Sequence, residues 1–248
     1  MTKIAIVTGG NSGIGKAIVK QFIEEGFKVF IIGRDEGKLR NTEKEFGENV
    51  VGYQVDISKP KEIEEFVNDI VRQHNTIDVL VNNAGFVKDT ELTLSLEELE
   101  ANWDSMVNTM LKGSFLMTAA TVPYFKKPGG RIINISSIAA FTGGRNPGAS
   151  GYAAAKAGIH GLTYGFAREL SPQGITVNTI APGFIADTGF TGQWPETVVK
   201  SFVNMTPVKR AGHVDDVAAA VKYLASPEAS FISGEILNVN GGQLFGRG

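Results

Sequence analysis

Short runs of β-branched and aliphatic residues alternate with longer amphipathic stretches along the chain, and this alternation constrains the fold more than any other feature. "KIAIVT" (3–8), "KVFIIG" (28–33), "VVGYQVD" (50–56), "IDVLVN" (77–82), "GRIINIS" (130–136), "GITVNTIAP" (174–182) and "GEILNVN" (234–240) read as strands. Several are apolar almost without interruption, the pattern of parallel strands covered on both faces. Helical periodicity is predicted over 13–25, 36–46, 60–73, 97–125, 151–171 and 213–225. The stretch "PKEIEEFVNDIVRQ" (60–73) has proline in its first turn, acids early, and Ile63, Phe66, Val67, Ile70 and Val71 on one face. Strands joined by helical crossovers of this length fold as an α/β protein with a doubly wound parallel sheet.

No linker, low-complexity run or short repeat divides residues 1–248, so a single domain is expected. The segment 184–208, with "GFTGQWPE", fits the alternation poorly and reads as a lid or substrate loop. Cysteine is absent, which excludes disulfides, thiolate metal sites and a cysteine nucleophile. His74, His160 and His213 lie far apart in sequence, so no metal site is expected. A formal net charge of −2 gives no reason to expect a nucleic-acid or anionic-membrane partner. No run approaches the ~18 apolar residues of a membrane span. "MTKIAIVTGG" enters its strand at Ile4 and leaves no room for a signal peptide, so a cytoplasmic protein is expected.

"IVTGGNSGIGKAI" joins the first strand to the first helix. Gly9, Gly13 and Gly15 let the backbone turn tightly and approach a pyrophosphate, which the helix N-terminus stabilises. Ser137 stands at the carboxyl edge of a buried strand, where open α/β sheets place ligands. Tyr152 begins the next helix and Lys156 lies one turn further on the same face. A tyrosine of pKa ~10 is a poor acid or base at neutral pH, and a nearby ammonium brings it toward the working range. On these three residues alone, an incidental i, i+4 pair with Ser137 as a turn residue is the competing reading. The glycine turn ahead of them favours the chemical one.

The TGxxxGxG spacing, "NNAG" at 82–85, Ser137 and Tyr152-x-x-x-Lys156 together resemble the short-chain dehydrogenases/reductases, from Thr8 to "SGEILNVNGG" at 233–242. The resemblance is strongest to members of the 3-oxoacyl-carrier-protein reductase type. It implies a Rossmann-like, three-layer α/β/α fold with seven parallel strands. It implies hydride transfer between a nicotinamide and a carbinol or carbonyl carbon, interconverting a ketone and a secondary alcohol. Tyr152 would be general acid or base, Lys156 would also bind the nicotinamide ribose, and Ser137 would polarise the carbonyl. Cofactor contacts are implied at Gly9, Asn11, Ser12, Gly13, Ile14 and Gly15, at Asp56 and Ile57, at Asn82, Ala84 and Gly85, and at Pro182, Gly183, Ile185 and Thr188, besides Tyr152 and Lys156. Relatives are usually homotetramers that pair helices such as 97–125 and 151–171.

Three departures bear on the expected chemistry. Ser137 and Tyr152 are 15 residues apart, where the family usually has about 13, the extra length falling in "GGRNPGASG" (143–151). Met110 stands where the family usually has a helix asparagine, and it can neither donate nor accept a strong hydrogen bond. Pro128 and Gln173, with Lys126 and Lys127 nearby, stand where arginines usually meet an acidic carrier protein. Gly33 takes the strand-end place usually held by an acid in NAD enzymes, and Arg34 follows it, favouring NADP(H) over NAD(H). Phe184, Phe190, Trp194 and Phe202 point to an apolar or acyl substrate, an acyl thioester among the candidates. A dienoyl-CoA reductase-like enzyme, an NAD-dependent alcohol dehydrogenase and a non-catalytic dinucleotide sensor are the competing classes.

Overall fold

Residues 2–186, 188–189, 191–192 and 194–245 are described by a computed structural model. Each apolar run forms a strand: β1 (Lys3–Thr8), β2 (Phe27–Gly33), β3 (Val50–Gln54), β4 (Val79–Asn82), β5 (Arg131–Ile135), β6 (Thr176–Pro182) and β7 (Ile236–Val239). All pair in parallel, in the order β3-β2-β1-β4-β5-β6-β7. The order reverses between β1 and β4, which opens a crevice at their carboxyl ends.

Alternate residues of each strand feed opposite faces, both covered, which is why several of these runs are apolar almost throughout. Ala5, Val7, Val29 and Ile31 pack under α1 (Gly13–Glu24) and α9 (Val214–Ala225). Ile4, Ile6, Phe30 and Ile32 pack under α3 (Pro60–His74) and α7 (Ser150–Leu170). The predicted Ile63, Phe66, Val67 and Ile70 are the buried stripe of α3. The second strand is followed by α2 (Glu36–Phe46).

The single helix predicted over 97–125 is interrupted. α4 (Leu96–Met106) passes into a π-helical turn, Val107–Lys112, and continues as α5 (Gly113–Thr121). A π turn inserts a residue into the helical register and frees a carbonyl, a geometry common at functional sites. Here Ser114 Oγ donates to the Met110 carbonyl at 2.6 Å, and α5 begins at Gly113, where a side chain would press on Ile57. Two helices that periodicity did not resolve also appear: a single turn, α6 (Ala139–Thr142), and α8 (Glu196–Met205) within the expected lid segment. Phe190, expected in that lid, lies outside the described residues.

Candidate active site

A cavity of about 1020 Å³ opens across the β1/β4 crevice, and every candidate residue except Asn82 lines it. Its floor is the turn after β1. Gly13 has φ +48°, a conformation side chains rarely adopt, and a Cβ on Gly15 would collide with the Gly9 carbonyl. Ser12 is the N-cap of α1 but makes no side-chain cap hydrogen bond, and no acid occupies the first turn. The first-turn amides therefore meet the cavity with neither a side-chain cap nor a repelling carboxylate, the arrangement that binds a phosphate group. These features fit a dinucleotide pyrophosphate. Thr188 hydrogen-bonds Thr191 (3.0 Å) and closes the turn from the opposite wall beside Gly13.

Asn82, expected along the cofactor, lies behind the wall. It is 3% exposed and donates to Asn134 Oδ1 (2.9 Å) and Thr118 Oγ1 (3.2 Å), stitching β4 to β5 and α5. As the last residue of β4 its side chain alternates into the core, and the next one faces the cavity. Asn83 holds the wall instead, with Nδ2 donating to the Thr8 carbonyl (2.9 Å) while Thr8 Oγ1 accepts the Asn83 and Ala84 amides (2.8 Å each). The sequence of "NNAG" alone did not indicate which asparagine lines the cavity.

At the far end of the cavity, Arg34 lies over the Phe86 ring (5.2 Å). Asp35 caps α2 by accepting the Lys38 amide (3.0 Å), so its carboxylate serves the helix N-terminus. Lys38, which sequence reasoning did not single out, joins Arg34 in the wall. Asp56 accepts both the amide and hydroxyl of Ser58 (3.0 and 2.8 Å). Burial opposes its ionisation, but the Ser58 donors prevail and keep its carboxyl below the usual range.

Ser137, Tyr152 and Lys156 meet at the inner end. The hydroxyls of Ser137 and Tyr152 hydrogen-bond, and Ser137 Oγ also accepts the Ala139 amide (3.1 Å). Lys156, 4% exposed, donates to the Ile135 carbonyl (2.7 Å), and its Nζ stands 5.8 Å from the Tyr152 ring centre. Contrary to the expected lowering by the Lys156 ammonium, burial pushes the tyrosine above its ordinary pKa, which the Ser137 bond only partly offsets, and it brings the lysine down to about 8. Met110 adds apolar surface beside this pair. It is fully buried with Met106 and Ala155, against Phe86 and Tyr152. A Cβ on Gly85 would sit 3.1 Å from Met110 Sδ and 3.5 Å from Lys156 Nζ, so thioether and ammonium converge there.

The N-terminus of α7, which carries Tyr152, is capped from elsewhere in the chain. Ala149, at the N-cap, supplies no side-chain bond. Thr90 Oγ1 instead accepts the Gly151 amide (3.0 Å), donates to the Gly148 carbonyl (2.8 Å), and meets Ser150 Oγ (3.1 Å). No local signal marks a cap 61 residues away in the chain. The segment 184–208 contributes a ring cluster: Phe184 stacks on Phe202 (4.8 Å) and Trp194 (5.6 Å) at the cavity wall.

A family model described as enoyl-(acyl carrier protein) reductase matches residues 9–243. The 3-oxoacyl-(acyl-carrier-protein) reductase FabG of Thermotoga maritima is 38% identical over 245 residues, 97% of each chain. Its namesake from Vibrio cholerae is 39% identical over 241 residues, 97% of this chain and 96% of the other. A solved short-chain dehydrogenase/reductase, of the glucose/ribitol dehydrogenase type, from Brucella melitensis superposes with a TM-score of 0.91 at 29% identity, covering 98% of this chain and 97% of the other. These likenesses span both the glycine cradle and the Ser137–Tyr152–Lys156 cluster: the chain belongs to the short-chain dehydrogenase/reductase family and is an NAD(P)-dependent oxidoreductase.

Proposed function

We propose that the chain is an NADP(H)-dependent enzyme interconverting a ketone and a secondary alcohol, with a 3-oxoacyl thioester or related carbonyl compound as substrate. The observation that carries this reading is the Ser137–Tyr152 hydrogen bond in a cavity continuous with the glycine cradle. The nicotinamide, when bound, gives the hydride in reduction and takes it in oxidation. Ser137 Oγ donates to the substrate oxygen. Tyr152, kept protonated at neutral pH by its burial, donates its hydroxyl proton to that oxygen as negative charge develops there. Lys156, held by Ile135, stabilises the phenolate left behind and binds the nicotinamide ribose. In oxidation Tyr152 takes the proton back.

NADP(H) is supported by the two cations Arg34 and Lys38 at the adenosine end, set against the single carboxylate of Asp35, whose Oδ1 caps α2 and whose Oδ2 lies 3.8 Å from Lys38 Nζ. A guanidinium pairs bidentately with a 2′-phosphate. The reading also takes residues 1–248 as one domain with 184–208 as its substrate lid. It takes the enzyme as a cytoplasmic homotetramer joined through α4, α5 and α7, whose Trp103, Phe115 and Tyr164 are 44–52% exposed. Among the described residues no helix is long and apolar enough to cross a membrane.

The test is consumption of NADPH and NADH with ketones, 3-oxoesters and 3-oxoacyl thioesters. NADPH is expected to be favoured at least tenfold in kcat/KM, and Arg34→Gln to remove most of that preference. A preference for NADH overturns the Arg34 argument, and no turnover of any carbonyl overturns the whole reading.

A further inference from the structure

The loop between α6 and α7 brings a cation to the substrate end of the cavity. Arg145 lines the wall there with Phe184, Trp194 and Phe202, in the same cavity as Ser137 and Tyr152. Its guanidinium lies over the Phe202 ring, 4.3 Å from the centroid, and one nitrogen touches the Met205 thioether. Those are its contacts among the described residues, and neither is an anion. Asp89, the carboxylate beside this loop at Gly148, is turned onto the Glu91 amide (2.9 Å) and forms no ion pair with Arg145. Thr90 fixes the base of the loop through its amide and hydroxyl, both donated to the Gly148 carbonyl.

Stacking on an aromatic face leaves a guanidinium's N–H donors in the plane of the group, free to pair with two oxygens at once. The rings beside it offer an apolar surface in the same cavity as the reacting centre. We propose that the substrate is a carbonyl compound ending in an oxyanion, a carboxylate or a phosphate, remote from its carbonyl. Arg145 binds that terminus, while Phe184, Trp194 and Phe202 cover the carbon chain between. This rests on the carbonyl-reducing reading above and narrows its substrate class.

The experiment compares methyl ketones of increasing chain length that end in a carboxylate, its methyl ester or a phosphate. The full chain is assayed with NADPH as wild type, Arg145→Gln and Arg145→Lys. At the best-fitting length the wild type is expected to favour an anionic terminus over the ester by tenfold to a hundredfold in kcat/KM, the range of a charge-assisted pair. The carboxylate and phosphate arms show which oxyanion is meant. Arg145→Gln is expected to bring the anion-to-ester ratio near unity and Arg145→Lys to keep part of it; the wild-type ratio is expected to shrink as salt rises. A ratio rather than a rate is read, because damage to the lid lowers both members alike. A ratio near unity in the wild type, or one that survives Arg145→Gln, overturns the proposal while leaving the carbonyl reading intact. Absence of turnover on every one of these ketones overturns this proposal, and the carbonyl reading falls with it only if 3-oxoesters and 3-oxoacyl thioesters are not turned over either.

Discussion

Replacing Lys156 by methionine is expected to abolish turnover yet make the cofactor-free protein more stable at pH 7. Lys156 is 4% exposed, and burial brings its pKa from 10.5 to about 8. Keeping it charged inside the fold therefore costs about 3 kcal/mol at neutral pH, at ~1.4 kcal/mol per pKa unit. Methionine removes that cost but gives up the 2.7 Å bond to the Ile135 carbonyl, about 1 kcal/mol. The net gain is about 2 kcal/mol, or roughly 4–8 °C in Tm for a chain of this size. The pH dependence distinguishes this cause from better packing. Below pH 8 the lysine is protonated in both states and the full cost applies. Between pH 8 and 10.5 the folded protein releases a proton that the unfolded chain keeps, so the wild type recovers stability as pH rises. By pH 9.5 about 2 kcal/mol is recovered and the gap between the two proteins closes. Urea unfolding of both at pH 7 and pH 9.5 measures this. A variant less stable at pH 7, or a gap equal at both values, refutes the reasoning.

Two further outcomes follow from the same site. Thr90→Val keeps the shape but leaves the buried Gly151 amide without its acceptor, at a cost of about 1–3 kcal/mol; a Tm unchanged from wild type, or no recovery in Thr90→Ser, shows the cap to be dispensable. Met110→Asn sets an amide beside the Lys156 ammonium, so the upper limb of the pH profile is expected to move up and kcat to rise, at about 1–3 kcal/mol of stability for a polar group in an apolar cluster. If kcat and the profile stay where they are, methionine has not altered the proton path.

The alternation of apolar runs with amphipathic stretches determined the architecture by itself, because burial on both faces favours apolar residues at successive strand positions, and all seven runs form strands. The glycine turn and the Tyr152–Lys156 pair were legible for a similar reason. Backbone closeness at Gly15 and the helical turn between Tyr152 and Lys156 are local constraints, written within a few residues. What stayed hidden depends on groups that meet only after the chain has folded. Which asparagine of "NNAG" faces the cavity is fixed by where β4 ends. The convergence of Met110 and Lys156 on Gly85, the capping of α7 by Thr90 and the seating of Arg145 on Phe202 each join segments remote in sequence, and the π turn at 107–112 left no mark in the periodicity that predicted one helix. A one-dimensional pattern records which residues must be buried or must turn. Only the tertiary structure decides which polar and charged groups are left facing one another inside the cavity, and that placement sets the burial of the Tyr152–Lys156 pair and the charge carried by the cavity wall.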